Sequence, residues 1–114
     1  MTQFASYADL LNAITDENGR EILNPATGEV VGRAPQNTVE DLNAAVEKAR
    51  AAQKDFAKLS DAERCELLTK AAAAIDANAE ALVELLSREQ GKPLNGPNAR
   101  FEVGACSGWL NATE

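Results

Sequence analysis

From residue 38 onward, apolar residues recur at the spacing of one helix face, and this period constrains the fold more than any other feature. The segment Thr38–Asp41 has the spacing of a capping box, in which a hydroxyl and an acidic side chain satisfy the first free amides of a helix. The face that follows contains one polar residue among six positions: Val39, Leu42, Val46, Ala49, Gln53 and Phe56. The pattern predicts a helix from Val39 to about Leu59.

Three more helices are predicted after it. Ser60–Glu63 is a second capping box, and the apolar face behind it comprises Cys65, Leu68, Ala72 and Ile75. We expect Asn78 to cap a third helix, with a buried face that consists of Leu82, Leu85 and Leu86. Gly91 suits the end of that helix and Pro93 prevents its continuation. Asn98 is the expected cap of a last helix, whose face comprises Phe101, Ala105 and Trp109.

The first third of the chain has a different pattern. Ser6–Asp9 resembles a capping box and predicts a short helix over 6–14, with a strand as the competing interpretation. Two short apolar runs within 20–35 flank a loop that contains proline and glycine, which indicates a β-hairpin. Gly32 is expected either to weaken the second strand or to mark a bulge.

The fold class predicted from these patterns is an α-rich α+β fold, with a short N-terminal helix, one β-hairpin and about four further helices. Alanine is abundant and aromatic residues make up only 4% of the chain, which favours closely packed helices with a modest core. We interpret 1–114 as a single incomplete domain, divided into an N-terminal segment (1–19), a hairpin (20–35) and a helical region (38–114).

Charge and composition exclude several classes of function. The net charge is −7 and no basic run is present, so nucleic acid is not an expected partner. No apolar run approaches the length of a membrane-spanning helix, and no secretory signal precedes the first helix, so we expect a cytoplasmic protein without a membrane partner. Histidine is absent, which removes the commonest general base and the usual zinc ligands.

We interpret the two cysteines and the carboxylates of this chain as structural residues. Cys65 is expected in the core, and Cys106, in a stretch of small residues, is expected to pack in the core or at an interface. The carboxylates are expected to cap helices or face solvent, with Glu66 and Lys70 as an ion pair; they include Glu40, Asp41, Glu47, Asp61, Glu63 and Glu66. No phosphate-binding glycine loop is present. We therefore expect no catalytic, cofactor-binding or metal-binding residue in this chain.

Two segments are more specific than generic helices and hairpins. Asn24–Gly32 (NPATGEVVG) resembles the hairpin near the start of the NAD(P)-dependent aldehyde dehydrogenases, and Arg88–Leu94 resembles the E-x-G-K-P element that ends a helix in that family. The order and spacing of the segments between them are also similar to the family, so the resemblance covers about 20–110. The opening segment departs from it, because the family would have a short strand in place of Ser6–Ile14. Within the family, the succinate-semialdehyde dehydrogenases are one branch that the chain could resemble most.

The resemblance implies an N-terminal region that wraps the dinucleotide-binding domain, whose Rossmann-type sheet comes from later segments. The family's catalytic and cofactor-binding motifs also lie downstream, and neither Cys65 nor Cys106 matches its cysteine motif. NAD or NADP and the oxidation of aldehydes to carboxylic acids are implied for full-length members only.

We therefore expect a fragment or truncated product that is catalytically incomplete by itself. Such a chain should expose apolar surface and associate with itself or with the missing remainder of the enzyme. The alternative is a stand-alone helical interaction or regulatory module that self-associates or binds an intact subunit. A small independent enzyme is disfavoured by the missing histidine and phosphate loop.

Overall fold

The computed structural model of the protein describes residues 3–113, which form five helices and one two-stranded sheet. Met1 and Thr2 of the predicted N-terminal segment, and Glu114 of the predicted helical region, lie outside the described residues. In chain order the elements are α1 (Tyr7–Ile14), β1 (Arg20–Leu23), β2 (Val30–Ala34), α2 (Val39–Phe56), α3 (Asp61–Ala77), α4 (Ala79–Gln90) and α5 (Pro97–Ala112). The predicted α-rich α+β fold class is confirmed.

The opening segment is a helix, so the competing strand interpretation is wrong. The hydroxyl of Ser6 accepts a hydrogen bond from the Asp9 amide at 3.2 Å and donates one to the Asp9 carboxylate at 2.8 Å. This local capping supplies a partner for one of the amides that the first turn of any helix leaves unpaired. Leu10, on the inner side of α1, is buried.

The hairpin is antiparallel and contains the bulge that Gly32 suggested. Ile22 pairs with Gly32 and Leu23 pairs with Val30, so Val31 is the extra residue of the second strand. A side chain at Gly32 would place its Cβ 2.7 Å from a methyl carbon of Leu11. Glycine at this position therefore allows α1 to lie directly against the hairpin.

Helix α2 begins as expected but ends early. Thr38 and Asp41 form the full capping box, with the Thr38 amide donating to the Asp41 carboxylate at 2.8 Å. The predicted end at Leu59 is wrong, because the helix stops at Phe56 and the chain continues in tight turns. In these turns the Leu59 amide donates to the Phe56 carbonyl at 3.2 Å.

The second capping box and the end of α4 agree with the sequence, but the role of Asn78 does not. Asn78 occupies the first position before α4, yet its side chain makes no capping bond to that helix. Instead it accepts a hydrogen bond from the Phe4 amide and donates one to the Ala74 carbonyl, both at 2.8 Å. The residue therefore fastens the N-terminal segment to the end of α3. Gly91 ends α4 in the left-handed conformation, with φ of 71°.

The last helix starts one residue before its predicted cap. Gly96 is the N-cap of α5 and Pro97 is its first residue, so the assignment of the cap to Asn98 is wrong. Proline suits this position because its fixed φ matches a helix and its missing amide would have no intrahelical partner.

The core consists of two small clusters on α4. Leu10 of α1 packs against Ala81 and Leu85, while Val83 packs against the α5 residues Ala99 and Val103. Of the three leucines predicted to be buried on α4, only Leu85 is buried, while Leu82 and Leu86 are half-buried. Helix α5 also lies against α3. The radius of gyration is 16.6 Å, against about 13 Å for a compact domain of this length, so the fold is extended.

Candidate functional site

The two cysteines lie on different helices, Cys65 on α3 and Cys106 on α5. Cys65 is half-buried on α3 and does not belong to either cluster of buried residues, so its predicted place in the core is not confirmed. Cys106 is exposed on α5, so the expectation that it lies in the core is wrong, and its interface role stays a prediction. Its thiol donates to the Glu102 carbonyl one turn earlier, at 3.3 Å.

An apolar hollow of about 410 Å³ lies beside Cys106, between α3, α4 and α5. Apart from Cys106 and two glutamates, its wall is aliphatic: Ile75, Leu82, Leu85, Leu86 and Val103. Leu82 and Leu86, expected to be buried, are only partly covered because they line this opening. The hollow is thus an open, largely aliphatic groove between the three helices.

The carboxylates of the two capping boxes are held in their ionised form. The backbone amide and then the hydroxyl of Thr38 donate to Asp41 and lower its pKa. The hydroxyl and then the amide of Ser60 do the same to Glu63 and lower its pKa. A depressed pKa makes a carboxylate a weak base, so these groups suit helix capping and not proton transfer. The predicted capping roles of both residues are confirmed.

A groove of about 900 Å³ separates the N-terminal segment from the corner between α3 and α4. Tyr7 lines it, and the Arg88 guanidinium lies 4.7 Å from the centre of its ring, which is cation–π geometry. Burial raises the pKa of Tyr7, an effect that the charge of Arg88 partly opposes. The tyrosine is therefore a neutral structural contact between α1 and α4.

One ion pair between α4 and α5 could not be found from the sequence. Arg100 binds the Glu80 carboxylate with two nitrogens, at 2.5 and 3.0 Å, across twenty residues of chain. These hydrogen bonds, and then the positive charge, lower the pKa of Glu80. The predicted local pair of Glu66 and Lys70 is confirmed, with a separation of 2.6 Å.

Helix α2, which is described over its full length, has no buried residue. Its apolar stripe, predicted to be a core face, lies open to solvent at Val39, Leu42, Val46 and Phe56. The structure therefore confirms the helix but not the burial of its stripe. A stripe of this kind normally faces a core, and the described part of the chain provides none for it.

Helix α5 is apolar on two sides. Its inner face, at Ala99, Val103 and Ser107, is buried against neighbouring helices. On the opposite side, Phe101 and Trp109 are 74% and 76% exposed. Residues 103–113 contain no charged side chain. The part of α5 from Val103 onward is therefore uncharged on every side, while its first turns carry Arg100 and Glu102.

Within residues 3–113, no group of three or more acidic or cysteine side chains is placed to hold a metal ion. Over the same range, no helix combines the length and apolar character needed to cross a bilayer. Residues 3–113 thus present a layer of packed helices and two uncovered apolar surfaces, on α2 and α5.

Comparison with known proteins identifies the family of the chain. The model of the aldehyde dehydrogenase family matches residues 13–113. The chain belongs to the aldehyde dehydrogenase family and corresponds to its N-terminal region. No solved structure gives a significant match.

Several curated relatives support the assignment. Succinate-semialdehyde dehydrogenase (NADP(+)) 2 of Schizosaccharomyces pombe is 39% identical over 90 residues, which cover 79% of this chain and 18% of the relative. The non-phosphorylating aspartate-semialdehyde dehydrogenase of Halomonas elongata is 44% identical over 87 residues, which cover 75% of this chain and 17% of the relative. The chain thus spans less than a fifth of the length of these relatives.

Proposed function

We propose that this chain is the N-terminal part of an NAD(P)-dependent aldehyde dehydrogenase and is catalytically incomplete by itself. Its role is to supply a helical layer that the remainder of such an enzyme covers. Family membership supports the reaction class, the oxidation of an aldehyde to a carboxylic acid. The 114 residues lack histidine and phosphate-binding glycine loops, which supports the incompleteness.

The observation that carries the proposal is the double apolar character of α5. One face already packs on α3 and α4, yet Phe101 and Trp109 leave large aromatic surfaces in water on the other. Exposed apolar patches of this kind mark contacts with further protein. The stripe of α2 offers a second such surface. Both are expected if the remaining segments of the enzyme pack against these helices.

The cofactor and substrate belong to the completed enzyme. NAD or NADP is the proposed cofactor, and no residue of this chain is assigned to bind it. The relatives named above act, by their names, on succinate and aspartate semialdehydes. An aldehyde that bears a carboxylate is therefore the proposed substrate class, with a cytoplasmic location as the accompanying expectation.

The second candidate is a stand-alone helical module that self-associates or binds an intact subunit. The exposed faces of α2 and α5 favour it as well, because they could dock on another protein as readily as on the rest of an enzyme. In this case the 114-residue chain would have a function without any aldehyde dehydrogenase activity in the same polypeptide.

The incompleteness is tested on the purified chain. Isothermal titration with NAD⁺ and NADP⁺ measures cofactor binding, and absorbance of the reduced nicotinamide measures turnover of succinate semialdehyde and related aldehydes. We expect neither binding nor turnover. Turnover that survives repurification and is lost in a Cys106→Ser variant would show that the chain is an enzyme in its own right. The full-length relative from Schizosaccharomyces pombe is the positive control.

A further inference from the structure

The loop of the β-hairpin is held in shape by hydrogen bonds within itself. The Asn24 amide donates to the Glu29 carbonyl, and the Gly28 amide donates to the Asn24 carbonyl, each at 2.8 Å. The Asn24 side chain accepts a further hydrogen bond from the Ala26 amide at 2.9 Å. The loop therefore keeps its conformation without help from the helices.

The strands of the hairpin rest on α1. A Cβ added at Gly32 would lie 2.7 Å from a methyl carbon of Leu11, and Val31 packs against the cluster that contains Leu10 and Leu85. A two-stranded hairpin is only marginally stable in water without such packing. Neither β1 nor β2 contains a buried residue, so this support is limited.

The loop of the hairpin extends to the C-terminal end of α4. A Cβ added at Gly91 would lie 2.8 Å from the Cγ of Pro25 and 3.8 Å from its Cβ. The proline ring thus lies directly against the backbone of Gly91. Gly28 has a similar positive φ, 76° against 71°, but a Cβ added there would meet no atom within 4 Å. The close approach of another segment is therefore a property of Gly91 and not of every left-handed glycine in this chain.

Charge also favours the contact between the loop and α4. Arg88 lies three residues before Gly91, and its hydrogen bonds to Glu84 raise the pKa of its guanidinium. The negative charge of Glu29, at the end of the loop, adds to this effect. The same attraction draws the loop toward α4.

We propose that the hairpin, residues 20–34, is a strap across the junction of α1 and α4, latched at its tip by the contact of Pro25 with Gly91. When the latch is released, the loop moves away from α4 while the two strands stay paired and packed on α1. Elements with few buried contacts are the ones that open locally in a folded protein. The released strap uncovers the C-terminal turn of α4 without unfolding that helix.

The test is nuclear Overhauser spectroscopy of the isotope-labelled full chain, which detects protons in close contact. In the wild type we expect contacts between Pro25 and Gly91 and, across the strands, between Ile22 and Gly32. Gly91→Asn adds a Cβ against the proline ring, and asparagine tolerates the left-handed conformation that ends α4. We expect this variant to lose the contact between positions 25 and 91 and to keep the contacts across the strands.

Two further variants are the controls. Gly28→Asn makes the same substitution at a similar φ in open space, and it should keep the contact of Pro25 with Gly91. Pro25→Ala combined with Gly91→Asn removes the ring carbon that clashes, so contact between positions 25 and 91 should return. Contacts between Val83 and Ala99 show in every variant that the helices remain packed.

Four results would overturn the proposal. The first is a wild-type chain without contacts between Pro25 and Gly91, and the second is a Gly91→Asn variant that retains them. The third is loss of the contacts between Ile22 and Gly32 in Gly91→Asn, because the hairpin would then unfold instead of being released intact. The fourth is failure of either control, which would assign the effect to backbone strain and not to the proline ring.

Discussion

Replacement of Val103 by alanine tests whether the small cluster between α4 and α5 holds the fold together. Val103 is 8% exposed and packs with Val83 and Ala99. The substitution removes two buried methyl groups, worth about 1.5 kcal/mol at about 0.8 kcal/mol per group. Incomplete relaxation of the cavity adds to this, so the expected loss of unfolding free energy is about 2 kcal/mol. For a chain of this size that lowers the Tm by about 8 °C.

Val39→Ala is the matched control, because the same two methyl groups are lost from a side chain that is 68% exposed on α2. The little burial that is lost is offset by the higher helix propensity of alanine, so the change should stay within about 0.5 kcal/mol. Urea unfolding followed by circular dichroism, at equal protein concentrations, gives both values, and an unchanged m-value shows that the transition is the same. Equal destabilisation by the two variants would refute the assignment of the core to the Val83 cluster.

Three further outcomes follow from local contacts. Gly32→Ala should lower the unfolding free energy by about 1–3 kcal/mol, measured by urea unfolding, because its Cβ would lie 2.7 Å from Leu11. Ser60→Ala should lower the unfolding free energy by about 1 kcal/mol, because Ser60 caps α3. Thr38→Ala removes the cap of α2, which has no buried residue, so it should reduce the helicity measured by circular dichroism without lowering the Tm of the main transition. The folded state lowers the pKa of Glu63 below its usual value of 4.5, so Glu63 stabilises the fold fully above pH 4.5 and loses this effect as the pH falls through the folded pKa. In an acid titration, the unfolding free energy of Glu63→Gln should therefore fall less with decreasing pH than that of the wild type.

The elements of this fold could be predicted from the sequence because their signals are local. Capping at Thr38 and Ser60, the left-handed end of α4 at Gly91 and the bulge beside Gly32 depend on neighbours within a few residues. One error was also local: Pro97 sets the start of α5 ahead of Asn98, the predicted cap.

The tertiary contacts could not be predicted in the same way. Asn78 binds Phe4 and Arg100 binds Glu80 across long stretches of chain, and no spacing rule connects these partners. Periodicity identified the stripe of α2 as apolar but cannot say whether its partner is part of the same 114 residues. The same limit applies to Trp109, whose helix face is apolar in sequence and exposed in the structure.

The central claim is that this chain takes the place of the N-terminal segment of an aldehyde dehydrogenase. The direct measurement is a chimera in which residues 13–113 replace the matching segment of the Schizosaccharomyces pombe relative. We expect the chimera to reduce NADP⁺ with succinate semialdehyde, and the relative without its segment to be inactive. Phe101→Glu with Trp109→Glu in the chimera should abolish activity, whereas Ala51→Glu should not. A chimera that folds and binds cofactor but stays inactive, or one that tolerates charges at both aromatic positions, would contradict the account.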